Sequence, residues 1–284
     1  MEKRAYGATG ESLSIIGFGG IVVKDAEPDE ASLLVNEAVE RGINYFDVAP
    51  RYGTAQEKLG PALEPNRNDV FLACKTRERD GANAERELHD SLSKLRTDHF
   101  DLYQMHAITT MEDVDMVLAP HGALETFIKA REQGLIRYLG FSAHSVEAAT
   151  RLLNAFQFDS VLFPVNWVNY FEGDFGPQLI ELARNKGAAR LALKAAAQAK
   201  LSEGEERSYE KCWYHPIVDP ALAALAVRFT LSQPITAAVP PGDPGLWRMV
   251  ADIGENFTPI TDEEINILKT EARSNMPIFG HPAA

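Results

Sequence analysis

Ionisable side chains stand at the ends of three apolar segments that follow one another along the chain. Asp47 ends Asn-Tyr-Phe-Asp, Lys75 ends Phe-Leu-Ala-Cys-Lys, and His106 ends Asp-Leu-Tyr-Gln-Met-His. A buried charge without a partner is costly, so we expect Asp47 and Lys75 to form a buried ion pair. Tyr52 follows soon after Asp47, and the nearby ammonium is expected to lower the pKa of its phenol. Such a phenol is suited to act as a proton donor.

Short apolar segments that alternate with longer segments of helical periodicity are predicted to position these groups. The predicted strands are residues 13–18, 44–48, 70–75, 100–106, 137–142, 160–166, 189–194 and 235–239. Eight βα units with near-continuous apolar strands favour an α/β fold of the (β/α)8 TIM barrel type over an open doubly wound sheet. In such a barrel the C-terminal strand ends meet at one face, which would bring the ionisable groups together.

Composition and charge narrow the class of protein. The 284 residues contain no Pro/Gly/Ser-rich linker, so residues 1–284 are predicted to form a single domain. The net charge of −13 disfavours nucleic acid and membrane surfaces as partners, although local groups can still bind an anionic cofactor. Only Cys74 and Cys212 occur, and they are far apart in sequence, so we expect no metal cluster and no disulfide framework. We see no signal segment or apolar span, which predicts a cytoplasmic protein. The sequence leaves the oligomeric state open.

The four residues resemble a known active site. Asp47, Tyr52, Lys75 and His106, in this order and spacing, resemble the catalytic tetrad of the aldo-keto reductase superfamily. Two longer stretches, residues 42–60 and 124–142, are similar to signatures of that family. The resemblance implies an NAD(P)H-dependent oxidoreductase acting on a small-molecule carbonyl substrate, with Tyr52 as proton donor and His106 orienting the carbonyl. It implies NADPH as the cofactor, with NADH as the alternative.

The resemblance also implies cofactor contacts, and here the chain departs from the family pattern. Ser142 ends the fifth predicted strand as in the family, but Ala143 stands where the family has asparagine, and Leu162 stands where it has glutamine. We therefore expect Ser142 and Asn166 to bind the nicotinamide carboxamide. Trp167 is the nearest aromatic candidate for stacking on the nicotinamide ring.

Phosphate contacts are expected near the last two strands. Lys194 either faces the cofactor pyrophosphate or is an exposed lysine at the barrel rim. The loop after the eighth strand, which includes Pro241 and Gly242, leads into a helix whose start is suited to hold phosphate, with Arg248 as its cation. Asp243 in this loop would repel a 2′-phosphate and favour NADH.

Three alternatives remain open from the sequence. Residues 196–216 form a long excursion with Trp213 and Tyr214 that is either a substrate lid or a surface loop packed on its own aromatics. A Schiff-base lyase would use Lys75 or Lys194 as its nucleophile and would have no need of Tyr52. A regulatory subunit would bind nicotinamide without turnover, and the altered residues after Ser142 are compatible with it.

Overall fold

Eight parallel strands form a closed barrel in the computed structural model, which describes residues 1–281. These strands are β3 (Phe18–Gly19), β4 (Tyr45–Asp47), β5 (Phe71–Thr76), β6 (Phe100–Ile108), β7 (Ile136–Ala143), β8 (Ser160–Pro164), β9 (Ala189–Leu193) and β12 (Ala237–Val239). The barrel closes where the Gly17 amide donates to the Ala238 carbonyl (2.9 Å) and the Ala238 amide donates to that of Ile15 (2.8 Å). The (β/α)8 barrel expected from the sequence is confirmed.

Helices surround the barrel, and two antiparallel hairpins lie outside it. The helices are α1 (Pro28–Glu40), α2 (Ala55–Leu63), α3 (Gly81–Lys94), α4 (Met111–Leu118), α5 (Ala123–Glu132), α6 (Val146–Ala155), α7 (Trp167–Glu172), α8 (Pro177–Asn185), α9 (Pro220–Ser232), α10 (Pro244–Glu255) and α11 (Asp262–Ala272). The hairpins pair β1 (Lys3–Ala5) with β2 (Ser12–Ser14) and β10 (Ala197–Lys200) with β11 (Tyr214–Pro216).

The first barrel strand begins later than the strand predicted at residues 13–18. Most of residues 13–18 lie outside the barrel strand, because Ser12–Ser14 pairs with β1 and only Phe18–Gly19 pairs with β4. The apolar character of this segment has another cause. Leu13 and Tyr6 of the hairpin are fully buried. They pack against the side chains that fill the barrel interior.

The alternation of side chains along each strand sorts the core into two layers. On β5, Phe71 and Ala73 point into the barrel, while Leu72 and Cys74 pack against the surrounding helices. Tyr103 of β6 lies in the same outer layer. The same alternation directs Lys75 inward, because it lies two residues beyond Ala73. Strand register therefore determines which polar side chains reach the interior.

The part of the chain that the structure describes, residues 1–281, contains no helix long and apolar enough to cross a membrane. Within that range no group of three or more His, Cys, Asp or Glu side chains forms a candidate metal site. The last three residues of the predicted domain, 282–284, lie outside the described residues.

Candidate active site

A cavity of about 620 Å³ opens at the C-terminal ends of the barrel strands. Three of the four residues singled out for chemistry, Asp47, Tyr52 and His106, lie on its wall, and Lys75 lies directly behind them. Strand ends and the loops that follow them, the hairpin of β10 and β11, and the C-terminal segment supply the remaining walls, among them Arg51, Arg77, Lys194, Trp213 and Phe279. A barrel of this type carries its chemistry at this face.

Asp47 and Lys75 form the buried ion pair expected from the sequence. The Lys75 ammonium donates to Asp47 Oδ1, and both side chains are almost completely buried. The second carboxylate oxygen, Oδ2, accepts hydrogen bonds from the Tyr45 hydroxyl (3.2 Å) and from Gln104 Nε2 (3.0 Å). Each charge thus has a partner within the barrel, which offsets the cost of removing both from water.

The ion pair sets the charge next to Tyr52. Burial is the largest single effect and acts to lower the pKa of Lys75, but Asp47 and Tyr52 together outweigh it, so this pKa is raised and the ammonium stays charged. The ammonium lies 5.4 Å from the centre of the Tyr52 ring. Burial nevertheless raises the pKa of Tyr52, although the Lys75 charge acts to lower it. The sequence-based expectation of a lowered phenol pKa is therefore wrong for the free protein, because burial is the larger effect.

His106 is a second neighbour of Tyr52. The two ring centres are 5.9 Å apart and the ring planes are perpendicular. Regular pairing of β6 with β7 is interrupted just after Met105, and Ala107 there has a positive φ of 55°. Burial, together with the charges of Lys75 and Arg77, lowers the pKa of His106 to about 2. The imidazole is therefore neutral at any pH where the protein would work.

The structure does not bring Ser142 and Asn166 to the cavity wall. Asn166 caps α7, since its side-chain oxygen accepts from the amides of Val168 (3.0 Å) and Asn169 (3.1 Å). Its Nδ2 donates to the carbonyls of Lys194 (3.0 Å) and Ala197 (2.7 Å). An asparagine side chain has no further hydrogen-bonding capacity.

Ser142 retains one free group. Its hydroxyl oxygen accepts from the Ala107 amide at 2.7 Å, which leaves its proton available for donation. The side chain is only 1% exposed. Its visible role is to hold the backbone next to His106 in place.

Lys194, Pro241 and Gly242 do line the cavity, on the side opposite β5. The Lys194 ammonium lies over the rings of Tyr214 (5.0 Å) and Phe279 (5.8 Å), and no carboxylate among residues 1–281 pairs with it. Burial lowers its pKa to about 8. A cation held by ring faces alone keeps its charge free to interact with an anion.

The loop after β12 is tightly packed and already capped. A side chain on Gly242 would lie 2.7 Å from Ile21 Cγ2 and 3.0 Å from Lys211 Cβ, so the close approach there requires glycine. The Asp243 carboxylate accepts from the first amides of α10, which the sequence had indicated for phosphate. Arg248 lies outside the cavity and binds Glu37 through both carboxylate oxygens (2.8–3.0 Å).

The excursion at 196–216 is a hairpin that reaches over the cavity. Lys211 Nζ donates to the Val22 carbonyl at 2.7 Å, which connects the hairpin to the loop after β3. Trp213 and Tyr214 face the cavity, whereas Trp167 is buried between helices and donates to the Ala197 carbonyl (3.1 Å). Trp167 is therefore not the aromatic wall that the sequence suggested.

Sequence reasoning missed several wall residues. Arg77 could have been found, since it follows Lys75 by two positions and so continues the inward face of β5. Arg51, immediately before Tyr52, belongs to the same loop. Phe279 gave no signal, because it comes from the C-terminal segment and meets His144 only through the fold, with ring centres 4.7 Å apart.

Comparison with known proteins agrees with this geometry. The sequence model of the aldo/keto reductase family matches residues 15–218, so the chain belongs to the aldo/keto reductase family. An uncharacterised oxidoreductase, YqkF of Bacillus subtilis (strain 168), is 26% identical over 97% of this chain and 98% of its own length. L-galactose dehydrogenase of Arabidopsis thaliana is 29% identical over 72% of this chain and 68% of its own.

A solved structure shares the fold. The holo form of aldo-keto reductase AKR11C1 from Bacillus halodurans superimposes with a TM-score of 0.75. It is 23% identical in sequence, and the match covers 99% of this chain and 98% of that one.

Proposed function

We propose that this protein reduces the carbonyl group of a small molecule with a nicotinamide cofactor, and that Tyr52 protonates the carbonyl oxygen. The observation that carries the proposal is the position of Tyr52 on the cavity wall, next to both the Lys75 ammonium and the neutral His106 ring. The curated relatives named above are an oxidoreductase and a dehydrogenase, which fits a hydride-transfer reaction.

The residues divide the chemistry between them. When bound, the cofactor supplies the hydride that adds to the carbonyl carbon. Tyr52 donates its hydroxyl proton to the carbonyl oxygen, which completes the alcohol, and the Lys75 ammonium stabilises the phenolate that remains. Asp47 keeps Lys75 charged and in place. Proton return from solvent to Tyr52 resets the site.

His106 is a hydrogen-bond donor rather than an acid in this proposal. Its Nδ1 is buried and has no hydrogen-bond partner among the described residues. The tautomer protonated on Nε2 avoids burying an unpaired N–H, and it leaves Nε2–H to bind the substrate oxygen. Because the ring is neutral, His106 orients the carbonyl while the proton comes from Tyr52.

The far wall fits the diphosphate of a dinucleotide. Lys194 and Lys211 supply cations there, and the Lys194 ammonium has no carboxylate partner in the described part of the chain. The 2′-phosphate of NADPH has weaker support, since Arg248 is occupied by Glu37 and Asp243 caps the nearby helix. We therefore include both NADPH and NADH in the test.

The test compares wild type with Tyr52→Phe for consumption of NADPH or NADH in the presence of aldehydes, quinones and sugars. Loss of a general acid is expected to reduce kcat by about 10²–10⁴ while cofactor binding persists. Tyr138→Phe is a matched control, because Tyr138 is on β7 and stacks with Phe71 in the barrel interior, away from the cavity. A Tyr52→Phe enzyme as fast as wild type would contradict the proposal.

One observation favours a second candidate, a Schiff-base lyase. Lys194 lines the cavity with a pKa lowered to about 8, so about a tenth of its amine is uncharged and nucleophilic at pH 7. Lys75 is not suited to this role, because Asp47 holds it in the charged form. Borohydride trapping separates the candidates: a substrate adduct that Lys194→Met abolishes would support the lyase, and no adduct is expected from a reductase.

A further inference from the structure

The wall of the cavity has the opposite charge to the rest of the protein. The chain carries a net charge of −13, yet the cavity is lined by four basic side chains and one acidic one. The acidic residue is Asp47, and Lys75 neutralises it. The basic residues are Arg51, Arg77, Lys194 and Lys211. Such a local excess of positive charge in an acidic protein attracts anions to this one opening.

A dinucleotide accounts for only part of this charge. Lys194 follows β9, and Lys211 lies in the adjoining hairpin loop. Arg77 follows β5, which is four strands from β9 in either direction around the barrel. Arg51 and Arg77 therefore lie on the same side as Tyr52, where a substrate must bind, and across the opening from the two lysines.

Neither of the two arginines has a carboxylate partner within residues 1–281, whereas about half of the protein's arginines do. Arg41, Arg67 and Arg228, for example, each pair with carboxylates. Within residues 1–281 no acidic side chain forms a salt bridge with Arg51 or Arg77, and both are exposed to the opening. A guanidinium on a cavity wall with its donors free matches the planar geometry of a carboxylate or phosphate.

We propose that the substrate is an anionic carbonyl compound whose carboxylate or phosphate group is bound by Arg77, with Arg51 as a second cation, while its carbonyl faces Tyr52 and His106. This inference rests on the proposed reductase function and adds the substrate class. Arg77 is close enough to His106 to help hold the pKa of that imidazole low, which fits an anion site next to the reacting carbonyl.

The test uses pairs of substrates that differ in one anionic group. Glyceraldehyde is compared with glyceraldehyde 3-phosphate, and 4-methylbenzaldehyde with 4-carboxybenzaldehyde, by kcat/KM in wild type, Arg77→Gln and Arg51→Gln. We expect wild type to prefer at least one anionic member, and Arg77→Gln to reduce that preference about tenfold, as for the loss of one charged hydrogen bond. The pair with the larger reduction identifies the anion as phosphate or carboxylate.

Arg131→Gln is the matched control, because Arg131 is an exposed arginine on α5 in the outer helical layer. It should leave the preference unchanged. Higher ionic strength should also raise KM for the anionic member more than for the neutral one. The proposal is overturned if wild type prefers neither anionic member, or if Arg77→Gln lowers kcat/KM equally for both members of each pair.

A binding measurement separates this inference from the reductase function. Trp213 lines the cavity and is 49% exposed, so its fluorescence reports occupancy. The unreactive anions 3-phosphoglycerate and 4-methylbenzoate serve as probes. About tenfold weaker binding of either probe to Arg77→Gln supports the anion site even if no aldehyde is reduced, whereas equal binding to both proteins refutes it.

Discussion

The two sides of the barrel opening hold their polar groups in different ways. On the side of β4, β5 and β6, each proposed catalytic side chain projects inward from a strand end or the loop next to it, and Lys75 and Gln104 both donate hydrogen bonds to Asp47. On the side of β7 to β12, several polar side chains have become helix caps or surface ion pairs, as Asn166 and Arg248 show. The proposed catalytic groups are thus positioned by strand register, while the proposed cofactor contacts depend on loops.

The largest effect should come from breaking the ion pair on the first side. Asp47→Asn leaves the Lys75 ammonium buried without a counter-charge, and we expect the free energy of unfolding to fall by about 3–5 kcal/mol. Denaturant unfolding measures this. Glu64→Gln is the control, since its partner Arg96 and Glu64 itself are both 58% exposed, and its loss should cost less than about 1 kcal/mol.

The double variant Asp47→Asn/Lys75→Met makes this prediction sharper. It removes both charges, so it should be more stable than the sum of the two single changes implies. If the losses of unfolding free energy are additive, the two groups do not interact as a pair. The proposed difference between the two sides of the opening would then be wrong.

This contrast explains what could be predicted from the sequence. A polar residue at the end of an apolar run can be recognised in the sequence alone. The alternation of side chains along a strand then determines the direction in which Asp47 and Lys75 point. A helix cap such as Asn166 is also a polar residue after an apolar run, so the same signal has two meanings. Only the fold shows that α7 begins there. The burial that raises the pKa of Tyr52 is likewise evident only in the folded structure.

A smaller effect should come from the cap itself. Asn166→Ala removes the acceptor for the first amides of α7, and we expect a loss of about 1–2 kcal/mol in unfolding free energy. Because the side chain has no free hydrogen-bonding group, cofactor Kd should stay the same. Ser145→Ala, which removes the cap of α6, is the matched control for stability. If Asn166→Ala binds the cofactor much more weakly and Ser145→Ala does not, the hypothesis that Asn166 contacts the nicotinamide carboxamide regains support.

The protonation of Lys194 provides a test of the second side of the opening, formed by β7 to β12. Its pKa of about 8 means that the charge which would bind phosphate is present below that pH and is lost above it. Cofactor Kd should therefore rise by up to about tenfold as pH increases through this range, and a bound phosphate would move the midpoint upward. Lys194→Met should bind more weakly with a flat profile. An unchanged profile in that variant would remove Lys194 from the phosphate site.

Lys194 also affects how the free energy of unfolding depends on pH, and its pKa determines the sign of that effect. The folded-state pKa lies below the ordinary value of 10.5, so between about pH 8 and 10.5 the unfolded chain binds a proton that the folded protein lacks. The free energy of unfolding should therefore gain a positive contribution as pH rises through this window. Lys194→Met should lack that contribution, which pH-dependent denaturation can measure.

The smallest expected effect is an absence of pH dependence at His106. Its pKa of about 2 keeps the ring neutral, so kcat/KM should show no acidic limb near the ordinary histidine pKa of 6.5. His106→Gln should lower the rate without changing the shape of the profile, because it replaces one neutral donor with another. An acidic limb in wild type that disappears in this variant would mean that His106 titrates during turnover. In that case His106 rather than Tyr52 would be the candidate acid. The low pKa that burial gives His106 in the free protein would then not apply during turnover.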